Sequence, residues 1–352
     1  MLTPSAPRLL ALIVSFFLMC AATGSLRADL VWDAKNGWRA EGGVIAPYLA
    51  SAEGISAKQI MDNARRAEEA GSPGSALSGY KRVIKKFSSS VFAPEALYRS
   101  AAIYENRRQY SKAFKNLQRI ITEHANYPRF KEVLAAQYNI ATKLADGKRP
   151  RYFGVIPGFK QREKGAENYE MLIGNAPYSE YAPLALMNTA RVQRELGQGD
   201  AAIDALDRMI NNYPDNFLTP DAYLKLAAAH AEITQGPPYD QASTQQALTY
   251  YQDYLILYPS ESDATIANKG FNDARTMLAE SKMTMGDFYF YKRNNRTAAR
   301  VFYNEAVTIH PDAPVAERAR KLLARIDEID AGKTSAPGAP RTAPRAKRFW
   351  LF

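Results

Sequence analysis

Ala202-Ile203-Asp204-Ala205-Leu206-Asp207-Arg208-Met209-Ile210-Asn211-Asn212-Tyr213-Pro214 is the stretch that decides the fold. A small residue opens it and a proline closes it 12 residues later, with Leu206, Met209 and Ile210 at helical spacing between them. The same frame recurs at Ala166–Pro177, Ala247–Pro259 and Ala299–Pro311, with separations of 11, 12 and 12. Ala176, Tyr213, Tyr258 and His310 stand immediately before the prolines. Two looser copies come earlier, at Ala76, Tyr80, Val83, Ile84, Phe87 and at Ala113, Leu117, Ile120, Ile121. A repeat of this kind outranks any single motif, because the repeating unit sets the whole architecture.

Each copy reads as the second helix of a helix-turn-helix pair. The alanine lets two helices approach closely, and the proline cannot continue a helix, so it ends the unit. Ala101 and Ala190 precede Ala113 and Ala202 by 12 and mark the partner helices, with a turn at Leu196-Gly197-Gln198-Gly199-Asp200. The pattern is similar to the tetratricopeptide repeat, without the first-helix tryptophan of its ideal form. The expected fold is all-α, a tetratricopeptide-repeat-like solenoid of about six helix pairs over residues 57–330. The last four prolines are spaced by 37, 45 and 52, which implies loop insertions such as Gln235-Gly236-Pro237-Pro238. The 21 tyrosines fall mostly at repeat positions and are expected in the packing between helices.

The flanks differ from this body. Residues 1–28 read as a secretory signal: Arg8, an apolar run from Leu9 to Met19 broken only by Ser15, then Ala21, Ala22 and Gly24. Cys20, the only cysteine, sits where a lipoprotein carries its lipid, but Met19 stands where the processing enzyme wants a small residue. Cleavage after Ala22 or later would remove the only thiol and with it disulfides and thiolate metal sites. Residues 29–56 form an extended lead, where Leu30-Val31-Trp32 and Trp38-Arg39 flank an Asn36-Gly37 turn and suggest a hairpin. Residues 331–352 are rich in Ala, Pro and Arg and are expected to be disordered. Their end, Arg348-Phe349-Trp350-Leu351-Phe352, is a candidate for docking in a groove or on a membrane surface, or an inert end folded back.

The net charge of +10 is concentrated at the ends, with +2 in residues 1–28 and +5 in residues 331–352, leaving +3 for the body. A nucleic-acid platform would carry its charge on a folded face, so nucleic acid is not expected as a partner. No chemistry is legible. His124, His230 and His310 lack metal-ligand spacing, and neither a phosphate-binding loop nor a nucleophile elbow is present. The reading is therefore a binding protein and no enzyme, with no cofactor, metal or small-molecule substrate. Asn295-Arg296-Thr297 matches a glycosylation acceptor.

One segment departs from the repeat. Lys148-Arg149-Pro150-Arg151-Tyr152-Phe153-Gly154-Val155-Ile156-Pro157-Gly158-Phe159 mixes basic, aromatic and turn residues and interrupts the connection from the second to the third repeat. Long loops in repeat arrays are often functional, so Arg151, Tyr152, Phe153, Gly154 and Val155 join Arg348, Phe349, Trp350 and Phe352 as partner-binding candidates. The loop and the helix after it, with Ala166, Tyr169 and Leu172, resemble the BamD family of outer-membrane assembly lipoproteins. Pro177-Tyr178-Ser179-Glu180-Tyr181-Ala182 and Gly286-Asp287-Phe288-Tyr289-Phe290-Tyr291-Lys292-Arg293 with Ala298-Ala299 are similar to that family too.

The resemblance implies a periplasmic scaffold on the inner face of the outer membrane, with the barrel insertase and unfolded barrel proteins as partners. Against the family, this chain is longer by an extra repeat pair within about 178–260. Other readings are a different periplasmic repeat scaffold, for envelope constriction or polysaccharide export, and an enzyme or enzyme regulator.

Overall fold

The computed structural model describes residues 29–33, 37–41, 52–233 and 241–332. The proposed signal with Cys20, the Gln235–Pro238 loop and the tail bearing Arg348, Phe349, Trp350 and Phe352 lie outside the described residues. The architecture is all-α and tetratricopeptide-like. Its helix pairs are α1 (Ala52–Glu69) with α2 (Pro73–Lys86), α3 (Ala93–Asn106) with α4 (Tyr110–Glu123), and α5 (Phe130–Ala145) with α6 (Arg162–Asn175). They continue as α7 (Tyr181–Glu195) with α8 (Gly199–Asn212), α9 (Thr219–Ile233) with α10 (Gln241–Leu257), and α11 (Ala264–Asp287) with α12 (Arg296–Ile309). A last helix, α13 (Pro314–Asp330), packs on α12. Ahead of them, β1 (Asp29–Asp33) and β2 (Gly37–Glu41) pair antiparallel, with Trp32 opposite Trp38.

The opening alanines are all buried: Ala76, Ala113, Ala166, Ala202, Ala247 and Ala299 are at most 2% exposed. They bring each second helix against its partner, and the bulk follows a turn or two later in Tyr80, Leu117, Tyr169, Leu206, Tyr254 and Tyr303. The units are joined by two successive turns. Before the prolines, Ala176, Tyr213, Tyr258 and His310 accept from the amides of Ser179, Asn216, Glu261 and Ala313. The carbonyls of those four then accept from Ala182, Thr219, Ala264 and Ala316, which start the next helix.

In the pairs whose connection is described, the first helix closes on a left-handed residue. After α7 this is Gly197 (φ 75°), where the Gln198 amide donates to the Gln193 carbonyl in a Schellman closure. Arg108 (φ 56°) and Asn294 (φ 50°) hold the same place in their pairs without being glycine.

Three sequence expectations are corrected. The first helix starts at Ala52, within the stretch read as extended, because nothing from Ala52 to Ser56 breaks a helix and Gly54 falls in the tolerant first turn. The interval of 52 between Pro259 and Pro311 holds no loop insertion. Its extra length is α11 itself, 24 residues long and continued by a π-turn at Phe288–Lys292. The Lys148–Phe159 segment lies inside the third pair, between α5 and α6, because α5 is a first helix that lacks the alanine-to-proline frame.

The chain divides into two compact units. One comprises Met1–Ile140 with Arg149–Phe159, the other Ala141–Lys148 with Lys160–Phe352. The first has a polar core: Glu95 on α3 is 1% exposed and receives Arg99 at 2.7 Å and the Tyr127 hydroxyl, with Arg129 at 3.6 Å. Arg99 continues to Glu68 on α1, which accepts from Tyr80 on α2, and Arg129 continues to Glu132 on α5. Burial, then Glu95, drives the Tyr127 hydroxyl pKa far up, so this network holds its phenols neutral.

In the second unit the last pair is fastened by Gly286, where an added Cβ would lie 2.5 Å from Tyr303 Cε1. The Tyr303 hydroxyl donates to Asp287 at 2.8 Å, and Arg318 of α13 pairs with the same carboxylate.

Candidate interaction surface

Lys148–Phe159 forms a small hairpin. β3 (Arg151–Tyr152) pairs antiparallel with β4 (Ile156–Pro157), Arg151 opposite Pro157 and Tyr152 opposite Ile156. The Val155 amide donates to the Tyr152 carbonyl at 3.1 Å across Phe153 (φ 52°) and Gly154 (φ 82°). Two successive positive φ values are what a tight turn matched to strand twist requires. Glycine takes that geometry freely and phenylalanine does not.

The hairpin is seated on the α3–α4 turn of its own unit. The Arg151 amide donates to the Arg108 carbonyl at 2.9 Å. Gly154 lies so close to Gln109 that a Cβ there would be 3.2 Å from its Nε2. The base closes through the Gly158 amide on the Pro150 carbonyl at 2.7 Å.

The structure thus brings Tyr152 to Val155 together at one projecting tip, with Arg151 at the base of the hairpin. Phe153 is 85% exposed, Val155 75% and Phe159 84%, with Tyr152 and Ile156 about half exposed. Ile156 and Phe159, which the sequence reading left out of its candidates, are exposed beside them, and the apolar run from Tyr152 already includes both. Residues 147–161 contain no acid. Arg108, Arg149 and Arg151 are exposed at the hairpin base and make no ion pair among the described residues.

The second unit offers a different surface. Ala190, Arg191 and Arg194 of α7 face Lys225 and Ala229 of α9 around a depression of about 310 Å³. Its cations are locally balanced: Arg191 with Asp146 at 3.2 Å and Glu195 at 3.0 Å, Arg194 with Glu232 at 3.2 Å, and Lys225 with Asp221. Such a trough presents small residues and neutralised charge, which suits a polypeptide better than a polyanion.

The histidines do not converge. His230 stacks on Tyr250 at 5.5 Å, His310 meets the Thr276 hydroxyl at 3.0 Å, and His124 ends α4. Burial lowers the His124 pKa. Among the described residues no group of acids, histidines or cysteines could hold a metal ion, and no helix is long and apolar enough to cross a membrane. Asn295 of the glycosylation pattern caps α12, its side chain accepting from the Ala298 amide at 3.0 Å.

The tetratricopeptide repeat family matches residues 95–127 and 184–216, which cover α3–α4 and α7–α8. The outer membrane protein assembly factor BamD of Xylella fastidiosa is 27% identical over 164 residues, 43% of this chain and 55% of that protein. BamD of Caulobacter vibrioides is 30% identical over 131 residues, 37% of this chain and 42% of its own length. The chain spans about half the length of the curated relatives it matches.

Among solved structures, a tetratricopeptide-repeat protein of Bacteroides fragilis is similar over 78% of this chain and 98% of its own, at 13% identity and a TM-score of 0.35. Another, from Parabacteroides merdae, covers 77% of this chain and is itself fully covered, at 13% identity and a TM-score of 0.32. The chain carries tetratricopeptide repeats at these two places and is similar to BamD proteins over about two fifths of its length.

Proposed function

We propose that this protein is a non-catalytic periplasmic scaffold in outer-membrane β-barrel protein assembly, held at the inner face of the outer membrane. Its partners in this reading are the barrel insertase and unfolded barrel proteins. The observation that carries it is the similarity to BamD in chains from separate bacteria, combined with an α7–α9 trough whose charges are balanced. Troughs of this kind accept extended or helical polypeptide through side-chain pockets. The hairpin from Arg151 to Val155 is a second contact element, and Arg348, Phe349, Trp350 and Phe352 a third.

Affinity purification of the native protein from gently solubilised envelopes, with partners identified by mass spectrometry, tests the role. Recovery of the insertase supports it. Recovery of constriction or export components without the insertase overturns it in favour of another periplasmic scaffold.

A further inference from the structure

We propose that the Tyr152–Phe159 hairpin is a membrane-surface anchor that seats its apolar tip in the headgroup region of an anionic bilayer. The inference deepens the reading of this hairpin as a contact element, and it stands whether or not the assembly role holds.

Three observations point to lipid. Exposed apolar side chains occupy every part of the tip: Tyr152 and Ile156 are cross-strand neighbours, Phe153 and Val155 occupy the turn, and Phe159 follows the second strand. A protein groove reads one face or one edge of a peptide, and strands of two residues offer no edge for strand addition. A fluid interface takes all the side chains at once.

Arg108, Arg149 and Arg151 surround the base, exposed and without an ion pair among the described residues, and no acid occurs in residues 147–161. Cations behind an apolar tip match anionic headgroups above acyl chains. Finally, the turn keeps a phenylalanine at φ 52° and 85% exposed, a conformation unfavourable for that residue and uncompensated by burial within the chain.

The test uses the full chain with vesicles of phosphatidylcholine alone or mixed in equal parts with phosphatidylglycerol. Val155→Cys in a Cys20→Ser background carries a polarity-sensitive dye. The expected result is a blue shift with the anionic vesicles, quenched by bromine-labelled lipid and weakened by salt. Arg149→Gln or Arg151→Gln should each lower partitioning about fivefold. Phe153→Ser with Val155→Ser and Phe159→Ser should lower it about tenfold or more, with unchanged helical circular dichroism.

Vesicle binding without a dye shift overturns the proposal, since another part of the chain then makes the contact. An unshifted dye with loss of a captured envelope protein in the triple variant also overturns it, making the tip a protein dock.

Discussion

Phe153 carries its ring at φ 52°, a region that costs an ordinary side chain about 1 kcal/mol or more. Asparagine tolerates that region, so Phe153→Asn should tighten the turn while removing the exposed ring. The Val155 amide, which closes the turn on Tyr152, should then exchange about fivefold more slowly by hydrogen-exchange mass spectrometry or NMR. Faster exchange would show that the ring supports the turn.

His124 supplies a pH-dependent case. Burial favours its neutral form, so its folded pKa lies below the unfolded value of about 6.5. As pH falls below that value the unfolded chain takes up the proton first, and stability declines until the folded pKa is passed. His124→Tyr restores the residue found at Tyr213 and Tyr258. It should flatten the fall in Tm between about pH 7 and about pH 5.5, above the range where carboxylates titrate. An unchanged slope would assign that decline to other groups. The mixture of basic and aromatic residues around Phe153 is visible in the sequence. The left-handed conformations of Arg108 and Phe153 are not, because neither residue type favours that region.

At the scale of elements, the first unit is joined through a carboxylate. Glu95→Ala would leave Arg99 and Arg129 facing a buried void, with Arg99 still paired to Glu68 and Arg129 to Glu132. The expected cost is about 3 kcal/mol, read as faster amide exchange in α3 and α4. A loss below about 1 kcal/mol would mean that water replaces the carboxylate.

In the last pair, Gly286→Ala drives a methyl into the Tyr303 ring, which Asp287 holds in place. A loss of about 1–3 kcal/mol is expected in thermal unfolding, and Tyr303→Leu in the same chain should recover part of it. Four of the second helices were legible because alanine and proline bracket them at nearly constant spacing, and α2 and α4 followed from the alanine and apolar spacing alone. The first helices were less so: α5 lacks that bracket, and the length of α11 is indistinguishable in sequence from a loop insertion. The Gly286-Asp287 motif stood out as a resemblance, and the structure gives it a packing role.

Across the whole chain, charge separates two modes of binding. The arginines and lysine around the α7–α9 trough are neutralised by Asp146, Glu195, Glu232 and Asp221, whereas those at the hairpin base have no carboxylate partner among the described residues. Net charge could not reveal this, because +3 over the body says nothing of which cations are paired. The division into two units was equally hidden, since its boundary falls within α5 and no linker composition marks it.

Salt distinguishes the two modes. At about 0.5 M the Debye length shrinks to about 4 Å, which screens exposed unpaired cations and leaves apolar trough contacts largely intact. Protein partners captured through the troughs should therefore change less than about twofold between about 0.1 and about 0.5 M salt, while anionic-vesicle binding falls about tenfold. Quantitative mass spectrometry of salt-stepped eluates and vesicle flotation under the same conditions provide the comparison. If captured partners elute as steeply as vesicles release, the paired charges of the trough reopen on binding, and its contacts are electrostatic rather than apolar.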